Sequence, residues 1–277
     1  MRVALATCAE LPDLHEDDRP LLPALAARGV EAVVAVWDDP AVDWASLDLV
    51  VVRSTWDYVG RHAEWLAWAR GVPRLANPAG VLAWSTDKTY LRHLAAAGVP
   101  TVPTTWVEPD RPYAPPAGEH VVKPTVSAGA ADTARYAAGE DSTAHVRRLQ
   151  EQGRTAMVQP YLDAVDEAGE TALLFFDGVL SHAARKAPVL VPELDDPEDV
   201  EITARSPSDV EVAVADRALA ALPFDGPLLY ARVDLLPSPD GPVVVEVELA
   251  EPSLFLTTAD GAADRLADAV VRRAARR

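Results

Sequence analysis

The tightest constraint on how this chain folds lies near its carboxyl terminus. Tyr230-Ala231-Arg232-Val233-Asp234 and Val245-Glu246-Val247-Glu248 are strongly β-forming, and the turn signal Ser238-Pro239-Asp240-Gly241 joins them as a hairpin. Residues alternate between the two faces of a strand, so Arg232 shares a face with Asp234, and Glu246 shares one with Glu248. Three carboxylates and an arginine projected from neighbouring strands cost free energy to bury unless a cation neutralises them. Hard oxygen ligands of this kind suit magnesium, which commonly bridges to substrate phosphates. An exposed, salt-bridged sheet face is the plainer alternative.

The first third of the chain alternates strand and helix in the manner of a parallel α/β unit. Val3 to Thr7, Val30 to Val36 and Asp48 to Val52 are expected strands, with helices over Pro20 to Arg28 and Arg61 to Arg70. Ligand-binding loops follow such strands, here Thr7 to Asp18 and Arg53-Ser54-Thr55-Trp56-Asp57-Tyr58. Ser85 is positioned to cap a helix from Thr86 to about Ala97, which places Lys88 in its first turn. Short strands are expected at Thr101 to Val107, His120 to Lys123 and Ala156 to Gln159, and a helix over Thr143 to Gln152. Asp177-Gly178 predicts a hairpin between Thr171 to Phe176 and Val179 to Ala184. Pro192 to Asp199 is an acidic, proline-interrupted loop, and Ser208 with Glu211 predicts a capping box on a helix that ends near Leu222. A last helix is expected from about Ala262 onward.

Composition removes several functional classes. With 43 acids against 25 bases in 277 residues and a formal charge of -18, the chain repels phosphate backbones, which argues against nucleic acid as a partner. No apolar run approaches the length of a membrane span, and the amino-terminal apolar segment reads as a first strand and not a secretory signal, so a cytoplasmic location is expected. A lone Cys8 supports neither an internal disulfide nor a cysteine-based zinc site. The glycine-rich dinucleotide fingerprint, the Walker lysine loop, the zinc-protease helix motif and the nucleophile elbow are all missing, and the histidines stand apart from one another.

Lysine usage is more informative. Only three of the 25 bases are lysines, Lys88, Lys123 and Lys186, so each is a candidate for a task that needs a compact ammonium, such as meeting a phosphate. Lys123 ends the strand-like Val121-Val122-Lys123-Pro124 and is followed by Ser127-Ala128-Gly129-Ala130, whose amides can approach phosphate oxygens closely. Met157 to Leu162 runs into an apolar turn, and with Glu170 it could line an adenine pocket and hold a ribose hydroxyl; taken alone, a core strand is the better account of it.

This order of parts resembles the ATP-grasp superfamily, in particular its glutathione-synthetase-like and D-alanine:D-alanine-ligase-like members, over nearly the whole chain. The resemblance implies an α/β protein with an amino-terminal parallel α/β substrate domain, residues 1–84, and an ATP-grasp domain, residues 85–277. Within the latter, residues 100–161 would close over the nucleotide and residues 162–277 would carry metal. It further implies that Lys88, Lys123 and Lys186 face the phosphates, that Ser127, Ala128 and Gly129 belong to the phosphate loop, and that Gln159, Tyr161 and Leu162 hold adenine, with Glu170 at the ribose. Asp234, Glu246 and Glu248 match the metal-binding triad, with Arg232 and Lys186 in catalytic places; Glu248 stands where those relatives often carry asparagine. ATP and two magnesium ions are the implied cofactors. Segments 54–58, 127–130 and 251–256 resemble a D-cycloserine-synthetase-like branch of antibiotic biosynthesis.

The expected reaction is activation of an amino-acid-like carboxylate as an acyl phosphate for attack by an amine; ring closure within one substrate is the alternative. A nucleotide-binding scaffold without chemistry is disfavoured by the intact lysines, Arg232 and triad. For the substrate, Arg53 offers a bidentate donor to a carboxylate, Trp56 and Tyr58 offer walls, and Glu251 and Ser253 are the next candidates. The competing reading of Arg53 is a structural pair with a nearby acid. A homo-oligomer is one assembly the chain could form, and the residues leave the oligomeric state open.

Overall fold

The computed structural model of the chain describes residues 1–190 and 200–276. The short runs of branched apolar residues at the amino terminus become strands β1 (Arg2–Thr7), β2 (Glu31–Val36), β3 (Leu49–Val52) and β4 (Leu75–Ala76), a parallel sheet in the order β2-β1-β3-β4. Helices α1 (Leu21–Ala26) and α2 (His62–Gly71) make the crossovers. Then come α3 (Ala79–Ser85) and α4 (Tyr90–Ala96). A second, antiparallel sheet follows: β5 (Thr105–Val107), β6 (His120–Pro124), β7 (Ala134–Tyr136) and β8 (Ala156–Pro160), ordered β5-β8-β6-β7, with α5 (Thr143–Glu151) against it. After the short α6 (Ala164–Ala168), the third sheet contains β9 (Glu170–Phe176), β10 (Val179–Lys186), β11 (Ile202–Arg205), β12 (Tyr230–Leu236) and β13 (Val243–Glu248), ordered β11-β10-β9-β12-β13. Helix α7 (Asp209–Ala220) packs on one side of this sheet and α8 (Ala262–Ala275) on the other.

One apolar core joins the first sheet to the third: Val3, Leu5 and Val51 pack in a cluster with Leu174, Phe176, Leu266 and Val270. The capping box forms as expected, with the Glu211 amide donating to Ser208 Oγ and the Ser208 amide donating to Glu211 Oε2 at 2.7 Å. Both hairpins form; in the second, the Gly241 amide donates to the Ser238 carbonyl. One element differs. Ser85 does not cap a helix beginning at Thr86. It ends α3, and its hydroxyl accepts from the Leu249 amide and donates to the Val247 carbonyl, so it serves β13. The chain therefore breaks between α3 and α4, and Lys88 stands in that break. The loop Pro192 to Asp199 lies outside the described residues. Among the described residues, no helix is long and apolar enough to cross a membrane.

Candidate active site

The loops after β1 and β3, the loop after β6, the hinge after β8 and the charged face of the third sheet enclose one cavity of about 860 Å³. Its floor is the hairpin that most constrains the sequence. Register sets Arg232 opposite Glu248 and Asp234 opposite Glu246, so four charged residues occupy adjacent places on β12 and β13. Each finds a counter-charge. Arg232 Nε donates to Asp234 Oδ1 at 2.9 Å, and its Nη2 pairs with Glu248. Lys186 Nζ bridges Glu170 Oε1 at 2.5 Å and Asp234 Oδ2 at 3.1 Å. Lys88 Nζ pairs with Glu246 Oε1 at 3.0 Å and donates to the Ser127 carbonyl at 2.9 Å, which ties the small-residue loop to the floor.

The wall opposite is different. Lys123, at the end of β6, lines the cavity and has no ion-pair partner among the described residues. Burial depresses its ammonium to about 8, and the nearby Lys88 and Lys186 add to that against the pull of Glu246. The loop beside it holds Gly129 at φ 57°, Ala130 at φ 58° and Asp132 at φ 56°, left-handed conformations that are costly for the two residues bearing a Cβ. Ser127, Ala128 and Gly129 line the cavity, as do Gln159, Tyr161, Leu162 and Glu170. The Gln159 side chain itself is committed to Thr104 Oγ1 at 2.8 Å.

The floor's charges are unequal. Burial works to raise Asp234, but Arg232 and Lys186 outweigh it and hold its carboxyl well below the usual range. Glu246 is likewise held down by Lys88 and Lys123 against burial. Burial pushes Glu248 up to about 8 despite Arg232, with Glu246 and Asp234 adding their repulsion, and Glu170 rises to about 7 for similar reasons. Among the described residues, no three His, Cys, Asp or Glu side chains converge into a ready-made metal cage. Of the expected triad, Glu246 and Glu248 line the cavity, whereas Asp234 is fully buried and committed to Arg232 and Lys186. The donor set nevertheless fits magnesium: two cavity-facing carboxylates, Glu246 held in its charged form and Glu248 raised chiefly by burial, a rise that a bound dication would reverse.

The substrate end needs one correction. Arg53 does not reach the cavity. It is 1 % exposed, its Nε donates to Asp18 Oδ1 at 2.8 Å, and its Nη2 donates to the Pro252 carbonyl. This is the structural alternative, because a guanidinium buried beneath a sheet end needs a counter-ion and Asp18 supplies it. Trp56, Tyr58, Glu251 and Ser253 do line the cavity. Trp56 Nε1 donates to the Glu251 carbonyl at 3.0 Å, and Tyr58 stacks on Trp65 at 4.8 Å. Sequence reasoning missed His15, Glu16 and Asp17, which join them from the loop after β1. The loop itself was identifiable as a strand end, but nothing in it singles out these three residues.

A family model described as the amino-terminal domain of D-cycloserine synthetase DcsG matches residues 3–77. The chain is 41 % identical to the cycloserine biosynthesis protein DcsG of Streptomyces lavendulae, covering 98 % of each. The crystal structure of D-cycloserine synthetase DcsG superposes with a TM-score of 0.91 at 40 % identity, over 99 % of this chain and 100 % of that one. A RimK-domain ATP-grasp protein from Sphaerobacter thermophilus follows the same fold, with a TM-score of 0.67 at 22 % identity, over 98 % and 100 % of the two chains.

Proposed function

The chain belongs to the D-cycloserine synthetase family of ATP-grasp ligases, and from this premise we propose how its residues share the work. ATP and magnesium serve this ligase; residues 1–84 are read as the substrate domain and 85–277 as the nucleotide domain. In our reading, a carboxylate oxygen of a small amino-acid-like substrate attacks the γ-phosphorus, ADP leaves, and an acyl phosphate forms. An amine nitrogen then attacks the acyl carbon, the bond to the bridging phosphate oxygen breaks, inorganic phosphate leaves with that oxygen, and the proton from nitrogen passes to the departing phosphate or to water. Lys123 meets the phosphates as an ammonium with no internal partner, and Lys186 and Arg232 face the transferring group. Gln159 to Leu162 receive adenine through their backbone, with Glu170 toward the ribose. Glu246 and Glu248 would hold magnesium, two ions in this reading, which when bound offsets charge on the phosphates, and Asp234, the third member of the expected triad, would join them only on giving up part of its pairing with Arg232 and Lys186. Trp56 and Tyr58 keep water from an easily hydrolysed acyl phosphate.

The observation that carries this reading is Lys88, which joins the small-residue loop and Glu246 through one ammonium and so sets a phosphate loop against a metal-binding edge. Full-length similarity to a D-cycloserine synthetase favours a second reading within the first, in which carboxylate and amine belong to one molecule and a ring closes. A screen of amino acids and their derivatives, singly and in pairs, for ATP-dependent ADP release tests both. Release with one compound alone supports ring closure, a requirement for two supports ligation, and no release from any would overturn the proposal.

A further inference from the structure

Residues 251–255 form neither helix nor strand, yet each of their five backbone carbonyls has a donor. Glu251 accepts from Trp56 Nε1 at 3.0 Å, and Pro252 accepts from Arg53 Nη2. Ser253 accepts from Arg232 Nη1 at 3.0 Å, and Phe255 accepts from the amide and the hydroxyl of Thr258 at 3.0 and 2.8 Å. The remaining carbonyl, that of Leu254, accepts from His182 Nε2 at 3.0 Å. Five consecutive carbonyls answered in this way leave the segment little freedom. It needs that support, because Phe255 is held at φ 48°, a left-handed conformation that is costly for a residue bearing a Cβ. The centroid of the Phe255 ring lies 5.3 Å from Arg232 Cζ, so the segment meets the guanidinium both through the Ser253 carbonyl and through that ring.

His182 is not among the residues that line the cavity. A bulge in β10 aims it at Leu254: pairing with β9 shifts between Leu180 and His182, so Ser181 is the extra residue and His182 takes the face that period-two alternation would have given to position 181. Ser181 Oγ accepts from Arg265 Nε at 2.8 Å, which turns its own proton toward His182 Nδ1, 2.9 Å away. A carbonyl only accepts, so Nε2 carries the ring proton. These hydrogen bonds select one neutral tautomer, fixed from α8 through Ser181. Around the ring, β9 presents the Phe176 side chain with its centroid at 5.9 Å, the 251–255 segment presents the Leu254 carbonyl, and α8 presents the Arg265 cation. Burial lowers the imidazole from the ordinary histidine value, and Arg265 adds to this against the Leu254 carbonyl, in keeping with a neutral ring.

We propose that His182 is a positioning residue for Arg232: from outside the cavity it pins the Leu254 carbonyl, and the pinned segment presents Ser253 and Phe255 to the guanidinium that faces the transferring phosphoryl group. This rests on the ligase reading and adds a hold on Arg232 that reaches it from α8 through Ser181 and β10. Asp234 and Glu248 hold the same guanidinium from the floor, so loss of the segment contact leaves Arg232 bound but less accurately aimed.

The test is calorimetric titration of the full chain with magnesium, comparing ADP with the non-hydrolysable triphosphate analogue AMPPNP, whose extra phosphoryl group is the one Arg232 faces. Wild type should prefer AMPPNP by about tenfold, the scale of one charge-assisted contact. His182→Leu, which removes the donor at similar volume, should lose most of that preference and keep its affinity for ADP. His182→Gln, whose amide nitrogen can donate to the same carbonyl, should restore it. In an Arg232→Lys background, which lacks the contact to Ser253, His182→Leu should change the preference by less than about twofold, because the two residues act as one unit. A merely structural histidine would lower the melting temperature and leave the ratio of the two affinities alone. Retention of the preference in a folded His182→Leu protein overturns the proposal, as does failure of His182→Gln to restore it or an equal loss in the Arg232→Lys background. So does a wild type that binds ADP but shows no preference for AMPPNP. If His182→Leu does not fold, Ser181→Ala takes its place; a lost preference is the expected result, and full retention overturns the proposal. Failure of wild type to bind ADP with magnesium would strike the ligase reading itself.

Discussion

The floor and the wall of the cavity handle positive charge in opposite ways. On the floor, Lys186, Arg232 and Lys88 are each bound to carboxylates, and burial is offset by pairing. On the wall, Lys123 has no such partner among the described residues, and the pull of Glu246 and Glu170 only partly offsets its burial. A paired cation stabilises the native state and holds geometry. An unpaired one lowers stability and waits for an anion. Function and stability are therefore separable here by residue, although all four cations line or abut one cavity.

The sharpest way to break this contrast is at Glu246, the floor carboxylate that both lines the cavity and answers Lys88. Glu246→Gln should lower turnover by on the order of a thousandfold or more while leaving nucleotide binding measurable, read by steady-state ADP release against calorimetric ADP titration. Magnesium should raise the melting temperature of wild type more than that of this variant. Equal stabilisation would remove Glu246 from the metal site.

Next in size is Lys186→Met, which strands Glu170 and Asp234 without their shared cation. Urea denaturation should show a loss of about 3 kcal/mol or more. Lys123→Met should do the reverse. Its stability should hold or rise, and its affinity for ATP should fall by roughly tenfold, the scale of one charge-assisted contact. Loss of stability in both variants would erase the distinction between floor and wall.

The smallest effect is in pH. Lys123 titrates near 8 in the folded chain, below the ordinary lysine value of the unfolded chain. Above about 8 the unfolded state holds a proton that the folded state has released, so this residue's contribution to stability grows with pH until the unfolded lysine also titrates. Wild type should thus gain on Lys123→Met as pH rises through that window, in paired denaturation curves on either side of about 8. ATP affinity should move the other way, falling over the same window in wild type and not in the variant.

Much of the fold was legible because its elements are local. The alternation of β1 to β3, the Asp177-Gly178 hairpin and the Ser208 capping box are encoded within a few residues each. The floor of the cavity was legible for the same reason, since period-two alternation brings Arg232, Asp234, Glu246 and Glu248 to one place. What failed depended on partners far away in the chain. Arg53 is settled by Asp18, 35 positions earlier, and by Pro252. Ser85 is settled by β13, more than 160 positions later. Asp17 has acidic neighbours on both sides; burial separates it from Glu16, and Asp18, more buried still, differs in being answered by Arg53 and Ser54. The short strands β7 and β11 carry too few residues to show a period, and pairing with β6 and β10 supplies what the sequence lacks.

The hairpin of β12 and β13 also sets an order on folding. Its backbone pairing closes across a short turn, which costs little loop entropy and can happen early. Arg232 answers part of its charge within the hairpin, and the rest is answered from much farther away, by Lys186 at 48 residues from Asp234 and by Lys88 in the segment between α3 and α4. Those contacts form only when the chain has closed its longest loops. Until then the nascent hairpin presents three carboxylates against one guanidinium, a net negative charge that discourages pairing with other chains. Magnesium present during refolding would screen that net charge early, and faster refolding on its addition, read by stopped-flow fluorescence, is the expected result.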